Sequence, residues 1–372
     1  MKQSERSAVK VKHFERISNA QLLMLISIVI FFAMYIIGYN TLGQGFRSAK
    51  TPFDILNAKA PLIIIACSLT VVMIGGGINI SVGGVLGLTA MSCALLMNKY
   101  QYGDSPWGVI LALMLALGLG LAFGLVQGAL ISYLDIQPFI VTLAGMVLAR
   151  GLLNMQYSNS LRVNNAAFTE LRKNSAIEVK ALSYLNSKNK LIIPKLELGV
   201  IIAIAVVILV FLMLRYTKKG RHIYAIGGNQ QSALMLGINV KNTRFFSYVI
   251  SGLLSGLAGF IYLMHEPSAN TTSVGIRGEM DAIASSIIGG TLLTGGVGNV
   301  IGTFFGVMIL ALIERIIWDL GLQDSWWQDM TSGAMLGLFI IIQSVVLYVR
   351  GKPRLKLHTA KKLKKPLTSI RE

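Results

Sequence analysis

The sequence predicts an all-α, polytopic membrane protein of about ten transmembrane helices, with glycine-rich segments that break or re-enter. Three observations carry this reading. Of 372 residues, 54% are hydrophobic and 13% charged, against roughly 25% charged in a soluble domain. The apolar residues gather in blocks near the length of about 20 residues that crosses a bilayer core. Basic residues cluster beside those blocks, at Lys2 to Arg16, Arg215 to Arg221, Lys241 to Arg244 and Arg350 to Lys365. Such flanking clusters anchor cytoplasmic segments, so the net charge of +18 points to membrane topology and not to nucleic acid.

The elements follow in order. Residues 1–21 form a basic N-terminus without a small-residue cleavage site after its apolar run, so the first span is read as retained. Spans are expected at Leu22–Gly38, Pro61–Ile74, Val85–Met97, Val109–Tyr133, Phe139–Met155, Leu198–Leu214, Phe246–Met264, Ala282–Leu293, Val300–Trp318 and Met330–Val349. An even number of spans puts both termini on one side, and the basic clusters make that side cytoplasmic. The membrane region is then 22–349, followed by a basic tail, 350–372. A long loop, 156–197, falls outside; its seven basic residues sit against Glu170, Glu178 and Glu197, and long loops escape the charge rule. The segment 215–245 falls inside.

Two short spans adjoin glycine-rich breaks. "GGGINISVGG", Gly75 to Gly84, interrupts an uncharged run from Pro61 to Met97. "IIGGTLLTGGVGN" overlaps the span at Ala282–Leu293. Glycine costs a helix interior about 1 kcal/mol relative to alanine, so each break needs a reason. Interrupted hydrophobic segments in two halves point to a transporter cavity; close helix packing is the other reading. Asn79 and Ser81 then face either the pathway or a buried interface, because non-helical backbone at membrane depth survives only there.

Ionisable groups inside spans cost roughly 2.5–3.5 kcal/mol on insertion scales. Arg150 closes a span and is expected to snorkel. Glu279 and Asp281 open one, where carboxylates suit a helix N-terminus. Glu314 and Arg315 lie deepest and, pointing about 100° apart, each needs a partner elsewhere. Cys67 and Cys93 lie in apolar runs without metal-ligand spacing and read as packed, reduced thiols.

Catalytic constellations are missing from the sequence. It contains no GxxxxGK[ST] phosphate loop and no HExxH pair, and its four histidines are scattered. "GLLSG" at Gly252 to Gly256 has its serine off the place a nucleophile elbow requires. No cofactor is expected in this chain; a multi-span protein without catalytic groups moves something, and motion against a gradient would need an energy source supplied by another chain.

Within the inner loop, "IGGNQQSALMLGIN" has the form of a self-contained helix. Asn229 is a good N-cap, Gln230 to Leu236 are helix formers, and Gly237 sits where a left-handed glycine ends a helix. Leu234, Met235 and Ile238 would give it an exposed apolar surface. That suits docking to a partner or lying on lipid headgroups.

"GGGINISVGGVLGLTA", "QPFIVTLAGMVLARGL", "YAIGGNQQSALMLGINV", "GEMDAIASSIIGGTLLTGGVGNVIGTFFGV" and "SWWQDMTSGAMLGLFIIIQ" resemble, in order, the permeases of ribose- and galactose-type ATP-binding-cassette importers. The resemblance runs from about Asn57 to Gln343. Within that family the segment "AIASSIIGGTLLTGGVGNVIGT" and the pair Trp326-Trp327 are most similar to bacterial galactofuranose permeases.

This resemblance implies a permease subunit of the bacterial inner membrane, moving a monosaccharide by alternating access. It implies a second permease copy or paralogue, cytoplasmic ATP-binding subunits and a periplasmic or lipid-anchored sugar-binding protein. The family's ATPase-coupling helix carries over to Gly227, Gly228, Asn229, Gln230, Ala233 and Gly237. The pathway is expected at Asn79, Ser81, Gly83, Thr142, Glu279 and Asp281. Gln230 and Asn79 stand where the family commonly has glutamate and aspartate, so no salt bridge is carried over to either. Competing readings are a permease for another small solute, such as a branched-chain amino acid or nucleoside, an intramembrane enzyme and a channel.

Overall fold

The computed structural model describes residues 19–351 apart from 43, 100–104, 158, 181–182, 186–190 and 323. The N-terminal basic cluster and most of the C-terminal one lie outside the described residues. Helices α1 (Asn19–Thr41), α2 (Gln44–Arg47), α3 (Thr51–Ile74), α4 (Val82–Lys99), α5 (Pro106–Tyr133) and α6 (Pro138–Gln156) come first. A small lobe follows, built from strand β1 (Leu161–Arg162), α7 (Ala166–Asn174) and strands β2 (Ile177–Glu178), β3 (Tyr184–Leu185), β4 (Leu191–Ile192) and β5 (Lys195–Leu196). The second half holds α8 (Leu198–Tyr216), α9 (Lys218–Gly228), α10 (Gln230–Met235), α11 (Val240–His265), β6 (Ser268–Ala269), α12 (Gly278–Ile288), α13 (Val300–Asp319) and α14 (Ser325–Gly351).

Seven of these helices are long and apolar enough to cross a membrane, and α4 and α14 hold shorter apolar stretches. The protein is an all-α polytopic membrane protein, as its sequence predicts. The ten expected spans need one correction in kind: α12 has 11 residues, about 17 Å of helix, too short to cross a core of about 30 Å.

At the centre stands α3, buried at every position from Ala60 to Ile74. An all-round apolar helix is stable only when covered on every side, and α8, α11, α12 and α13 cover this one. Hydroxyl pairs stitch the seam: Thr70 Oγ1 lies 3.0 Å from Ser286 Oγ and 2.7 Å from Thr303 Oγ1. The sequence reading began this helix at Pro61. It begins ten residues earlier, with Pro52 in the first turn, because Lys59 is neutralised by Glu314 at 2.5 Å. Arg315 finds Asp319 one turn on, at 3.1 Å.

The other large contact joins α5 to α11. Gly120, Gly124 and Gly128 on α5 face Gly252, Gly256 and the backbone around Tyr248 on α11, and a methyl group at Gly120 or Gly252 would overlap the other's carbonyl oxygen. Small residues four apart let two helix backbones touch, the usual device inside membranes. Outward faces are the reverse: Val29, Met114, Val126, Val147 and Leu209 are each about 60% exposed, as lipid-facing side chains should be.

The lobe sits at the end where α3 begins. Asn57 donates to the Lys195 carbonyl and accepts from the Glu197 amide, at 2.9 and 3.1 Å. Segment 156–197, read as a polar loop, is therefore structured, with antiparallel pairs β1–β6, β2–β5 and β3–β4. Exposed Glu178 is held below the ordinary carboxylate range by its bond to Lys195. The loop holding α9 and α10 sits at the opposite end, against the last residues of α3.

Candidate functional site

The first break spans 75–81, between α3 and α4. Asn79 Nδ2 donates to Ser251 Oγ on α11 at 2.9 Å, and Asn79 Oδ1 accepts from the Ser81 amide at 3.1 Å. Ser81 Oγ lies 2.7 Å from that same Oδ1 and 3.0 Å from Gln127 Oε1 on α5. One hydroxyl proton cannot serve both oxygens. Turning the Gln127 amide over resolves this, since its Nε2, otherwise buried without a partner, then donates to Ser81. Ser251 Oγ continues to Ser68 Oγ at 3.4 Å, and Tyr248 donates to the Ile78 carbonyl at 3.2 Å. Asn79 and Ser81 are 2% and 1% exposed. Of the two readings of the break, its polar side chains take the buried interface in this conformation.

Gly83 and Glu279 are brought together. A methyl group at Gly83 would overlap the Glu279 carboxylate and come within 2.7 Å of the Gly275 carbonyl. Arg150 on α6 closes this corner, donating to Glu279 Oε1 and to the Gly275 carbonyl, both at 3.1 Å. Arg150 thus does not snorkel: a buried carboxylate offers stronger compensation than distant headgroups. Gly278, the first residue of α12, sits beside Ile65, nine residues before the end of α3. The α12 N-terminus is thus set deep in the bundle, and α12 is a half-helix that starts beside the middle of α3.

Asp281 does not share that corner. Two residues apart on a helix is about 200°, and Asp281 instead lines a cleft of about 260 Å³ with Arg277, Met280, Glu314 and Ser332. Thr142 is fully buried and its hydroxyl is spent on the Pro138 carbonyl at 2.9 Å. The six residues expected to line one pathway fall into four places: Asn79 with Ser81, Gly83 with Glu279, Asp281 apart, and Thr142 bonded within α6.

The inner-loop helix is built largely as its residues require. Asn229 Oδ1 accepts from the Ser232 amide at 2.9 Å, making the N-cap. Gly237 has φ of 77°, the left-handed conformation a C-terminal glycine supplies, and the Gly237 and Ile238 amides bond back to the Leu234 and Ala233 carbonyls. The helix itself is Gln230–Met235, one residue shorter than read. Leu234, Met235 and Leu236 are 54%, 88% and 78% exposed. Ile238, expected outside, packs instead with Ile226, Ala233 and Val240. Gln230 accepts from Arg244 at 2.8 Å.

Sequence reasoning missed α9 altogether, and with it the seat of Gly227 and Gly228. Its signal was present: Thr217 caps Gly220, and Ile223 and Ile226 form one buried stripe, but the basic residues read as a charge run. Gln127, Ser251 and Arg150 were missed as partners of the breaks. The signal for the first two was a polar residue set beside helix-spaced glycines, Gln127 in α5 and Ser251 in α11.

Many spans, polar groups gathered at the first helix break and at the start of α12, and a capped apolar helix at one end define a transport permease. Comparison with known proteins places it further. Residues 51–341 match the family described as branched-chain amino acid transport system / permease component, and the chain belongs to that family. It is 37% identical over 319 residues to the inner membrane ABC transporter permease protein YjfF of Escherichia coli K12, covering 85% of this chain and 91% of that one. It is 35% identical over 327 residues to the fructose import permease protein FruG of Bifidobacterium longum, covering 88% and 92%. Identity to the ribose import permease protein RbsC of E. coli K12 is 32% over 330 residues, covering 89% and 94%. No solved structure matches.

Proposed function

We propose that this chain is the membrane-spanning subunit of an ATP-driven importer that moves a monosaccharide across a bacterial inner membrane by alternating access. Ribose, galactose and galactofuranose are the candidate cargoes, and fructose joins them through the relative in Bifidobacterium. The observation that carries the reading is α10: a six-residue capped helix with three large apolar side chains turned outward. Such a surface fits a groove on a cytoplasmic ATP-binding subunit, which supplies the ATP and magnesium chemistry that this chain lacks motifs for. A sugar-binding protein on the other side and a second permease complete the assembly. On this reading the lobe at 156–197 faces outward, the loop at 215–245 faces the cytoplasm with both termini, and 22–349 is the transport domain flanked by the basic segments 1–21 and 350–372.

The test is reconstitution in liposomes with the ATP-binding subunit and the binding protein encoded beside it. Uptake of a radiolabelled monosaccharide that requires ATP supports the reading; ATP-dependent uptake of amino acids alone replaces it. That second reading, a permease for a branched-chain amino acid, is favoured by the family's description and by nothing around the first break, whose polar groups are uncharged amides and hydroxyls apart from the Arg150–Glu279 corner.

A further inference from the structure

Three glycine-containing segments far apart in the sequence meet at the inner end of α3. The end of α3 and the first break contribute Ile74 to Gly77, the second break Gly295 to Gly298, and the third partner is the last turn of α9. The Gly296 amide donates to the Ile74 carbonyl at 2.8 Å, joining break to break. A methyl group at Gly227 would overlap the same Ile74 carbonyl oxygen and lie 2.6 Å from the Gly296 nitrogen. A methyl group at Gly295 would lie 2.8 Å from Gly76 Cα and 2.9 Å from the Gly227 oxygen. Around this point Ile223 and Ile226 pack on Gly75, and Tyr224 donates to the Gly298 carbonyl at 2.9 Å. One turn of α9 therefore touches both breaks at once.

The connection from that turn to α10 is a single residue. Asn229 closes α9, its amide bonding the Ala225 carbonyl at 3.1 Å, and opens α10 through its side chain. No flexible linker separates the two helices. Packed contacts of this kind shift between discrete arrangements instead of deforming smoothly. The first break leads directly into the polar pair Asn79 and Ser81, and the second is continuous with α12, whose far end carries Glu279.

We propose that the Gly227 end of α9 is a shared bearing, through which displacement of α10 moves both broken segments together, with Gly227 and Tyr224 as positioning residues. The inference rests on the importer reading above. Its mechanical content is that the two breaks are not independent gates: one push at α10 reaches both, because Gly227 has no side chain to hold them apart.

The experiment uses the full reconstituted importer and measures sugar uptake per ATP hydrolysed, together with retention of the ATP-binding subunit on the permease. Native protein is assayed first; if it shows no ATP-dependent uptake, the importer reading fails before any variant is compared. Gly227→Ala is expected to keep its ATP-binding subunit and its hydrolysis within about two-fold of native, while uptake per ATP drops at least ten-fold. Gly118→Ala, where an added methyl meets nothing within 4 Å, is the control and stays native. Tyr224→Phe, which removes one hydroxyl and no packing, lowers the ratio about three-fold with hydrolysis unchanged, and it serves if Gly227→Ala fails to fold. A native uptake ratio in Tyr224→Phe, or in folded Gly227→Ala, overturns the proposal. So does parallel loss of uptake and hydrolysis in either variant, the signature of simple structural damage.

Discussion

Arg150 on α6 and Glu279 in the first turn of α12 form an ion pair 3.1 Å apart, with Gly83 pressed against the carboxylate. The pair closes the deep end of the half-helix and joins three elements that are remote in sequence. Because Glu279 is 7% exposed, removing its partner strands a charge in a poorly solvated place. Arg150→Gln is expected to destabilise the protein by about 3 kcal/mol, and the double variant Arg150→Gln, Glu279→Gln should recover most of that. Thermal unfolding in detergent, followed by tryptophan fluorescence, measures both. An equal loss in single and double variants would show that the pair contributes nothing as a pair.

The corner beside it predicts an asymmetry between two neighbours in one motif. Gly83→Leu must displace the Glu279 carboxylate, whereas Asn79→Leu only breaks the bond to Ser251 and the contact with Ser81. Both should reduce uptake, Gly83→Leu at least ten-fold and Asn79→Leu less. Native transport by either protein, correctly inserted, would remove that residue from the working part of the break.

At the other end, Gly237→Val tests α10. An added side chain there meets open space, so the effect is conformational alone: a β-branched residue is strongly disfavoured at φ of 77°. The chain leaving α10 should be redirected, and stimulation of the ATP-binding subunit should fall several-fold. Asn229→Ala costs the cap about 1 kcal/mol and should have the smaller effect. Full stimulation with Gly237→Val would leave α10 as an interfacial segment on lipid.

Topology is checked by labelling. Cys67 and Cys93 are both free and fully buried, so their replacement gives a silent background. Lys219→Cys and Lys173→Cys lie on exposed positions at opposite ends of the bundle. A membrane-impermeant maleimide added outside is expected to label position 173 and not 219; the reverse pattern would invert the chain.

How much of this was legible depended on whether the deciding partner was near in sequence. The cap at Asn229, the turn at Gly237 and the carboxylates opening α12 are set by residues within one turn, and each was readable. The first ten residues of α3 were not, since Asp54 and Lys59 look soluble until Glu314 is seen beside Lys59. Arg150 was misread for the same reason: its partner lies 129 residues away. Ile238 was placed outside because the reading ended at α10, while the apolar surface that receives it belongs to Ile226 of the unrecognised α9.

The glycine seam between α5 and α11 inverts the usual logic of a mutational scan. Alanine replacement ordinarily subtracts atoms and reports what a side chain contributed. At Gly120 and Gly252 it would add atoms for which there is no room, while on the lipid face Val126 or Leu209 could be cut back at little cost. A scan of this chain would therefore rank the glycines of this seam among its least replaceable residues, and much of its lipid-facing bulk as interchangeable packing for the bilayer.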